Sequence, residues 1–341
     1  MTTADVKKER RLERLDRGVK VRCEGVYGLA TWRELCFLTL PHTLFIGGIL
    51  LLPLLIDPYW QRVICITGVY ALLALSFDFL AQYVGLVCLG LSFFVGCGAY
   101  VSGILSSSFG LPPLITIPIA TVVGAVICTL VFYPCLRLRG IYFAIISFMI
   151  PMLAVQLIIA LNVFGGTEGI TALPTLPSLL LFENYLILVV MIFVLFGMRR
   201  LVIEDVGLVF RAVKDNDQAV RASGINVTRY RAKAVFVASL IGCFSGAYLC
   251  HLYRYTGISM FALDYTILPI AATVMGGPGT LVGPVVGALV LYPLSEALRD
   301  FSQFRVVAYC VVLIGFIVYK PEGIMNYITR KYEQFEHWKE V

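Results

Sequence analysis

Charged residues make up only 14% of the 341-residue chain, where a soluble globular protein carries about 25%. With 59% hydrophobic residues and a mean hydropathy of +0.88, one ordinary core cannot hide the apolar surface. A soluble globular class is excluded. No C-x-x-C pair occurs, and the three histidines, His42, His251 and His337, are scattered along the chain. Metal chemistry has no support, and the ten cysteines, nearly all within apolar runs, read as small buried hydrophobes. No G-x-x-x-x-G-K-[ST] is present, so the chain has no P-loop for ATP. No ladder of Asp, Glu, Arg or His runs through the apolar stretches, as a proton- or sodium-driven carrier ordinarily needs. The first 34 residues, opening MTTADVKKERRLERLDRGVK, lack the apolar centre of a cleavable signal peptide. Nothing points to nucleic acid.

What is present is a series of apolar runs long enough to cross a bilayer, which takes about 20 helical residues. Candidate spans fall near 35–56, 63–80, 84–107, 114–134, 140–162, 185–198, 233–252, 265–276, 281–297 and 306–319. The region DYTILPIAATVMGGPGTLVGPVVGALVLYPLSEAL (264–298) is split because Gly276, Gly277, Pro278 and Gly279 break it. The expected fold is all-α: a polytopic membrane protein of about ten transmembrane helices, some broken or glycine-rich. Its sections are a basic cytoplasmic tail (1–34), a transmembrane domain (35–320) with a polar loop at about 199–233, and a cytoplasmic C-terminal tail (321–341). With both termini inside, 23 of the 27 Lys and Arg fall on the cytoplasmic side, as the positive-inside rule expects. A single span across 264–298 would instead send the basic C-terminus outside.

Asp78 is the main ionisable group within the spans, near the inner end of the second. A carboxylate there is either functional or a capping and packing group at the interface. The small-residue stretches GLVCLGLSFFVGCGAYVSGIL (85–105) and GGPGTLVGPVVGAL (276–289) allow close helix approach, and also suit a route whose backbone meets a polar solute. FGGTEGITALPTLPSLLLFEN (164–184) reads as an external connector, or as a short lid over the outer mouth of a pathway.

AVKDNDQAVRASGINVTRYRAKAV (212–235) is strongly polar between two apolar spans. Asp215, Asn216 and Asp217 supply cap-type residues for a short helix, Gly224 can close it in the left-handed conformation, and Arg221 sits at the end the helix dipole favours. The expected product is a transverse rod with a small surface of Ala219, Val220, Ala222 and Ser223. It suits docking in a groove of another protein; the plainer alternative is a solvated connector that only enforces topology.

EDVGLVFRAVKDNDQAVRASGINVTRYRAKAVFVAS (204–239) resembles the cytoplasmic loop of ABC-importer permeases of the leucine/isoleucine/valine type. Arg211-Ala212-Val213-Lys214-Asp215, Ala219, Gly224-Ile225-Asn226 and Lys233 match that family's pattern, with Val220 where a second alanine is usual. GLVCLGLSFFVGCGAY, RLRGIYFAIISF, FGGTEGI, VMGGPGTLVGPVVGA and YKPEGIM resemble further family motifs, in the family's order across 70–325. Leu91, Cys88, Ser147 and Gln82 depart from it.

The resemblance implies a type II-like permease subunit in the cytoplasmic (inner) membrane. Its partners would be a homologous second permease, two cytoplasmic ABC ATPases and an extracytoplasmic solute-binding protein. This chain would bind no cofactor, ATP and Mg being held by the ATPases. Residues Asp215, Asp217, Ala219, Val220, Ala222, Gly224, Ile225 and Asn226 would couple to the ATPase. Asp78, Ser92, Phe93, Phe94, Gly96, Tyr142 and Ser147 would lie on the translocation pathway, and Gly165, Gly166, Thr167, Glu168 and Gly169 at the outer gate. Gly276, Gly277, Gly279 and Pro284 would form a hairpin. The solute would be a branched-chain amino acid or a related amino acid, amide or urea. A stand-alone channel for a small neutral solute, or a membrane scaffold without transport, are the competing readings.

Overall fold

The computed structural model describes Gly47, Pro53 and residues 57–138, 140–171, 173–175, 180–299, 304–319 and 323–327. The basic tail (1–34), the first candidate span (35–56) apart from Gly47 and Pro53, and most of the C-terminal tail lie outside the described residues. Among the described residues eleven α-helices with defined ends follow one another. They are α1 (Pro58–Asp78), α2 (Leu91–Phe109), α3 (Pro113–Phe132), α4 (Ile141–Leu161), α5 (Leu180–Ile203), α6 (Asp205–Asp215), α7 (Asp217–Ala222), α8 (Val227–Tyr253), α9 (Asp264–Gly276), α10 (Val282–Ala297) and α11 (Phe304–Tyr319). Among the described residues the one isolated β-bridge joins Ile170 and Thr256.

The helices start and stop where local chemistry dictates. Pro58 and Pro113 sit in the first turns of α1 and α3, where a missing N–H costs nothing. Gly110, Asn162 and Arg254 end α2, α4 and α8 at positive φ. Pro118, Pro151, Pro269 and Pro293 lie inside helices, as apolar surroundings with neighbouring helices tolerate.

Seven helices among the described residues are long and apolar enough to cross a membrane: Pro58–Val84, Leu91–Phe109, Pro113–Arg137, Ile141–Leu161, Leu181–Ile203, Val227–Tyr253 and Ile258–Gly276. α10 and α11 are apolar but 16 residues each, short of the usual 20. The expected count of ten is therefore not reached within the described residues.

Burial sorts the helices into two classes. Every side chain from Thr67 to Leu80 is buried, because α1 is surrounded by α5, α8, α9 and α10. In the α1 and α8 spans 89% and 78% of an 18-residue stretch is buried within the chain, against 22% and 28% in α4 and α5. α4 and α5 present Ile141, Leu153, Val189 and Phe193 outward, the composition a lipid-facing wall requires.

Glycine sets the closest crossings. A Cβ on Gly98 would strike the Cys243 backbone and one on Gly246 the Val95 carbonyl, so α2 and α8 run antiparallel at backbone contact. α9 and α10 form a hairpin of the same kind, with Gly276 against Gly283 and Gly287 against Ala272. Both pairs have the small-residue interface expected for helices in lipid. The expected break in 264–298 falls where the glycines put it, with Gly277 at φ 112° and Gly279 at φ 81°.

One boundary departs from expectation. The span proposed at 84–107 begins its helix only at Leu91. Residues Phe79–Val84 widen into a π-helical turn closed by Gly85 at φ 76°, and 85–90 is irregular. The amides of that stretch are satisfied sideways: Leu86 N–H donates to the Leu80 carbonyl (2.9 Å) and Leu89 N–H to Ser147 Oγ (2.9 Å). Hydropathy alone cannot reveal such an interruption.

Candidate functional site

The polar stretch folds into a tightly terminated rod. Asn216 Oδ1 accepts from the Gln218 and Ala219 amides (3.1 and 3.2 Å), capping α7. At the other end Gly224, at φ 85°, donates to the Arg221 carbonyl (3.0 Å), and Ile225 N–H reaches back to Val220 (3.3 Å). These two bonds make a Schellman closure, whose usual apolar contact is between the residue after the glycine and the third from the helix end. Here those residues are Ile225 and Val220, both packed in a cluster with Val209, Val213 and Val227. Asn226 Oδ1 then caps α8 by accepting from Arg229 N–H (3.2 Å).

Val220 corrects the expected surface. It is buried against α6 and the start of α8 because the chain returns beneath α7 to begin α8. The outward face of the rod is Ala219, Ala222 and Ser223, all exposed. Of the three cap-type residues Asn216 does the capping, while Asp217 serves an ion pair.

Sequence reasoning missed that ion pair's partner. Arg231 is buried, its Nη2 3.6 Å from Asp217 Oδ2, and its Nη1 donates to the Leu136 and Leu138 carbonyls (3.2 and 3.4 Å). Arg221 adds a longer contact to the same oxygen at 3.8 Å. One guanidinium thus joins the rod, α8 and the connector after α3. The available signal was an acid within a polar loop followed by spaced arginines, which does not say which arginine turns inward.

A second set of contacts runs from α6 toward α9 and α10. Lys214 Nζ donates to the Gln82 carbonyl (2.8 Å), and the Arg211 guanidinium lies over the Tyr83 ring at 5.6 Å. Tyr83 Oη donates to the Gly279 carbonyl (2.7 Å), and Gly279 N–H donates to Asp78 Oδ1 (2.7 Å). Phe210 packs edge-on to Phe79 at 5.6 Å. The π-helical turn therefore sits between α6 and the glycine turn, and Asp78, fully buried, fastens that turn from inside. The described C-terminal segment touches the same turn, since a Cβ on Gly323 would meet Gly277. Pro284 lies just beyond in the first turn of α10, buried.

The remaining residues expected on the pathway sit in several different local surroundings. Ser147 Oγ bonds Leu89 N–H and the Ala144 carbonyl. Ser92 is fully buried, its amide donating to Thr266 Oγ1 (3.2 Å) while Oγ has no hydrogen-bond partner among the described residues. Phe93 and Phe94 stack into an aromatic cluster with Phe132 and Phe261, and a Cβ on Gly96 would enter the Phe261 ring. Tyr142 stands apart, 68% exposed on α4. Phe93, Phe94 and Gly96 thus pack together with Phe132 and Phe261 between α2, α3 and the 258–261 turn.

At the opposite end of α8, Gly165, Gly166 and Gly169 all take positive φ. Gly169 must be glycine, since a Cβ would meet the Thr256 carbonyl. Thr167 and Glu168 are exposed at the tip. Ile170 and Thr256 exchange backbone hydrogen bonds at 2.7 and 3.0 Å. Beneath them His251, buried, has Nδ1 2.9 Å from the Pro174 carbonyl. A carbonyl only accepts, so Nδ1 carries the proton; in the neutral ring the single lone pair of Nε2 accepts from Ser102 (2.9 Å), with Thr116 Oγ1 alongside at 3.0 Å and donating to the Pro113 carbonyl.

The family described as "Branched-chain amino acid transport system / permease component" matches residues 60–319. Similar relatives include the high-affinity branched-chain amino acid transport system permease protein LivM of Salmonella typhimurium and of Escherichia coli. Each is 24% identical over 322 residues, covering 84% of this chain and 76% of the relative. A probable branched-chain amino acid transport permease protein LivH of Methanocaldococcus jannaschii is 24% identical over 258 residues, covering 69% and 81%. No solved structure matches significantly. A family match across more than half of the sequence, over a bundle whose polar loop folds into a capped rod, identifies this chain as a member of the branched-chain amino acid ABC permease family.

Proposed function

We propose that the chain is the membrane-spanning permease subunit of an ATP-driven importer, and that α7 is the handle by which a separate ATPase moves it. The importer takes up a small polar solute, first among candidates a branched-chain amino acid, then related amino acids, amides or urea. A solute-binding protein delivers it on the extracytoplasmic side. The subunit pairs with a homologous permease and two cytoplasmic ATPases, which hold ATP and Mg. It is type II-like, has about ten spans and both termini in the cytoplasm, and lies in the inner membrane.

The observation that carries this reading is the construction of α7. A solvated connector has no use for two side-chain caps, a Schellman closure and a buried guanidinium beneath a face of Ala219, Ala222 and Ser223. A rigid rod with a small face fits closely into a groove and transmits displacement. The Lys214–Gln82, Arg211–Tyr83 and Tyr83–Gly279 contacts give that displacement a path to the α9–α10 hairpin. Residues 164–169 at the other end suit the delivery side.

The test combines capture and uptake. A cysteine at Ala222 is expected to cross-link to the ATPase, with a yield that changes between ATP-bound and nucleotide-free states. Gly224→Pro removes the N–H to Arg221 and forbids the positive φ, so uptake should be lost while the chain remains in the membrane. An assembly without any ATPase, together with unimpaired uptake by Gly224→Pro, would overturn the proposal.

A further inference from the structure

We propose that the groove between α3, α5, α6 and α8 is a specific site for one anionic phospholipid. It has a volume of about 560 Å³ and is lined by Thr129, Tyr133, Leu201, Phe210, Phe236 and Val237, with Arg229 and Lys233 among the remaining residues. Of the residues named in the contacts of the α7 rod and the glycine turn, only Phe210 and Arg229, the latter through its backbone amide, also line this cavity. The inference stands independently of the transport reading, except that the orientation proposed there assigns the site to the cytoplasmic leaflet.

Three features select the occupant. The first is the order of chemistry along α8. Arg229 and Lys233, both exposed and four residues apart, occupy one helical face, and Phe236 and Val237 follow one turn deeper. From Arg229 to Val237 is about 12 Å at 1.5 Å per residue, the depth over which a phospholipid passes from phosphate to acyl chain.

The second is charge. No described carboxylate pairs with Arg229 or Lys233 among the ion pairs of this end. Glu204 is held by Arg200 at 2.9 Å, and Asp217 by Arg231 and Arg221. Lys233 Nζ lies over the Tyr230 ring, 4.9 Å from its centroid, and has no carboxylate beside it among these ion pairs. Two cations above an apolar slot between membrane helices complement a phosphodiester with tails.

The third is the wall. Leu201, Val206, Phe210, Phe236 and Val237 come from three different helices, and Tyr133, 47% exposed, sets an amphipathic ring at the rim as interfacial tyrosines do. A soluble anion would use the cations and leave this wall uncovered; a zwitterionic lipid would cover the wall and waste the second cation. Because Val206 and Phe210 belong to α6, the lipid packs against the helix that leads into the rod.

The experiment is native mass spectrometry of the full chain, with its co-purifying subunits, in neutral micelles titrated with phosphatidylglycerol or phosphatidylcholine. One phosphatidylglycerol should be retained in preference to phosphatidylcholine. Arg229→Gln and Lys233→Gln should each weaken retention by about fivefold, while the charge-keeping pair Arg229→Lys and Lys233→Arg preserves it. Val237→Trp, which fills the slot and keeps both charges, should expel the lipid, and excess inorganic phosphate should not displace it. The proposal is overturned by equal retention of the two lipids, or by selectivity that survives both Gln substitutions. It also fails if phosphate displaces the ligand while Val237→Trp has no effect, which identifies a free-anion site. Efficient cross-linking of Lys233→Cys to the second permease would show that protein fills the groove.

Discussion

At one end of α8 the glycine-rich segment 165–170 is joined to the 254–257 turn by reciprocal backbone hydrogen bonds and anchored by His251, whose ring reaches three other segments. At the other end a small apolar cluster joins α6, α7 and the start of α8, and the reach to the rest of the bundle includes the tips of long side chains: Lys214 on a carbonyl, Arg211 over a ring, Arg231 on two carbonyls and a carboxylate. Backbone pairing and a buried imidazole fix one geometry. Side-chain tips on flexible stems can release one acceptor and find another a few ångströms away. The contrast fits a bundle in which one end holds its shape while the other accepts a stroke.

His251→Leu is the strongest way to break this comparison. It removes the partner of Ser102 Oγ and of the Pro174 carbonyl, while Thr116 keeps the Pro113 carbonyl. The Ser102 hydroxyl is fully buried and the Pro174 bond part-buried, so the two losses cost up to about 3 kcal/mol each. Thermal denaturation of the purified protein should show a global loss. If only the 165–170 segment loosens, that end is not an anchor.

Asp217→Ala should come next, at about 3 kcal/mol, the low end for leaving a buried charge without its partner. Hydrogen exchange should rise across 205–231 and stay unchanged at 165–171. Exchange rising equally at both ends would erase the distinction drawn here. Smallest is Asn216→Ala, which removes one cap and costs about 1 kcal/mol. The expected outcome is a frayed α7 with ATP hydrolysis retained and uptake reduced; parallel loss of both activities would show that the rod matters for assembly only.

The terminators of α7 are legible in the sequence because they are local: Gly224 and Asn216 act within four residues of themselves, whereas the Asn226 cap that starts α8 ahead of the expected 233 is not. The split at 276–281 was legible for the same reason. What escaped depends on where distant chain returns. Val220 reads as part of a small outward face until α8 is known to begin beneath it. Arg231 is one of several basic residues until the connector after α3 supplies carbonyls to one of them. Asp78 was left between a functional and a capping role, and Gly279, 201 residues away, shows what it binds. The interruption at 85–90 lies in an apolar run, where hydropathy is blind to backbone geometry.

The joints around the rod are very short: one residue, Asn216, separates α6 from α7, and only 223–226 separate α7 from α8. Adding a single residue inside either helix would swing everything beyond it by about 100°, turning Ala219 and Ala222 away and Val220 into water. Substitutions here adjust the strength of the grip, whereas insertions and deletions change where it points. Length, more than composition, is the quantity this loop cannot let drift, and a tag or reporter grafted between Asp205 and Val227 will misalign the lever however inert its own sequence.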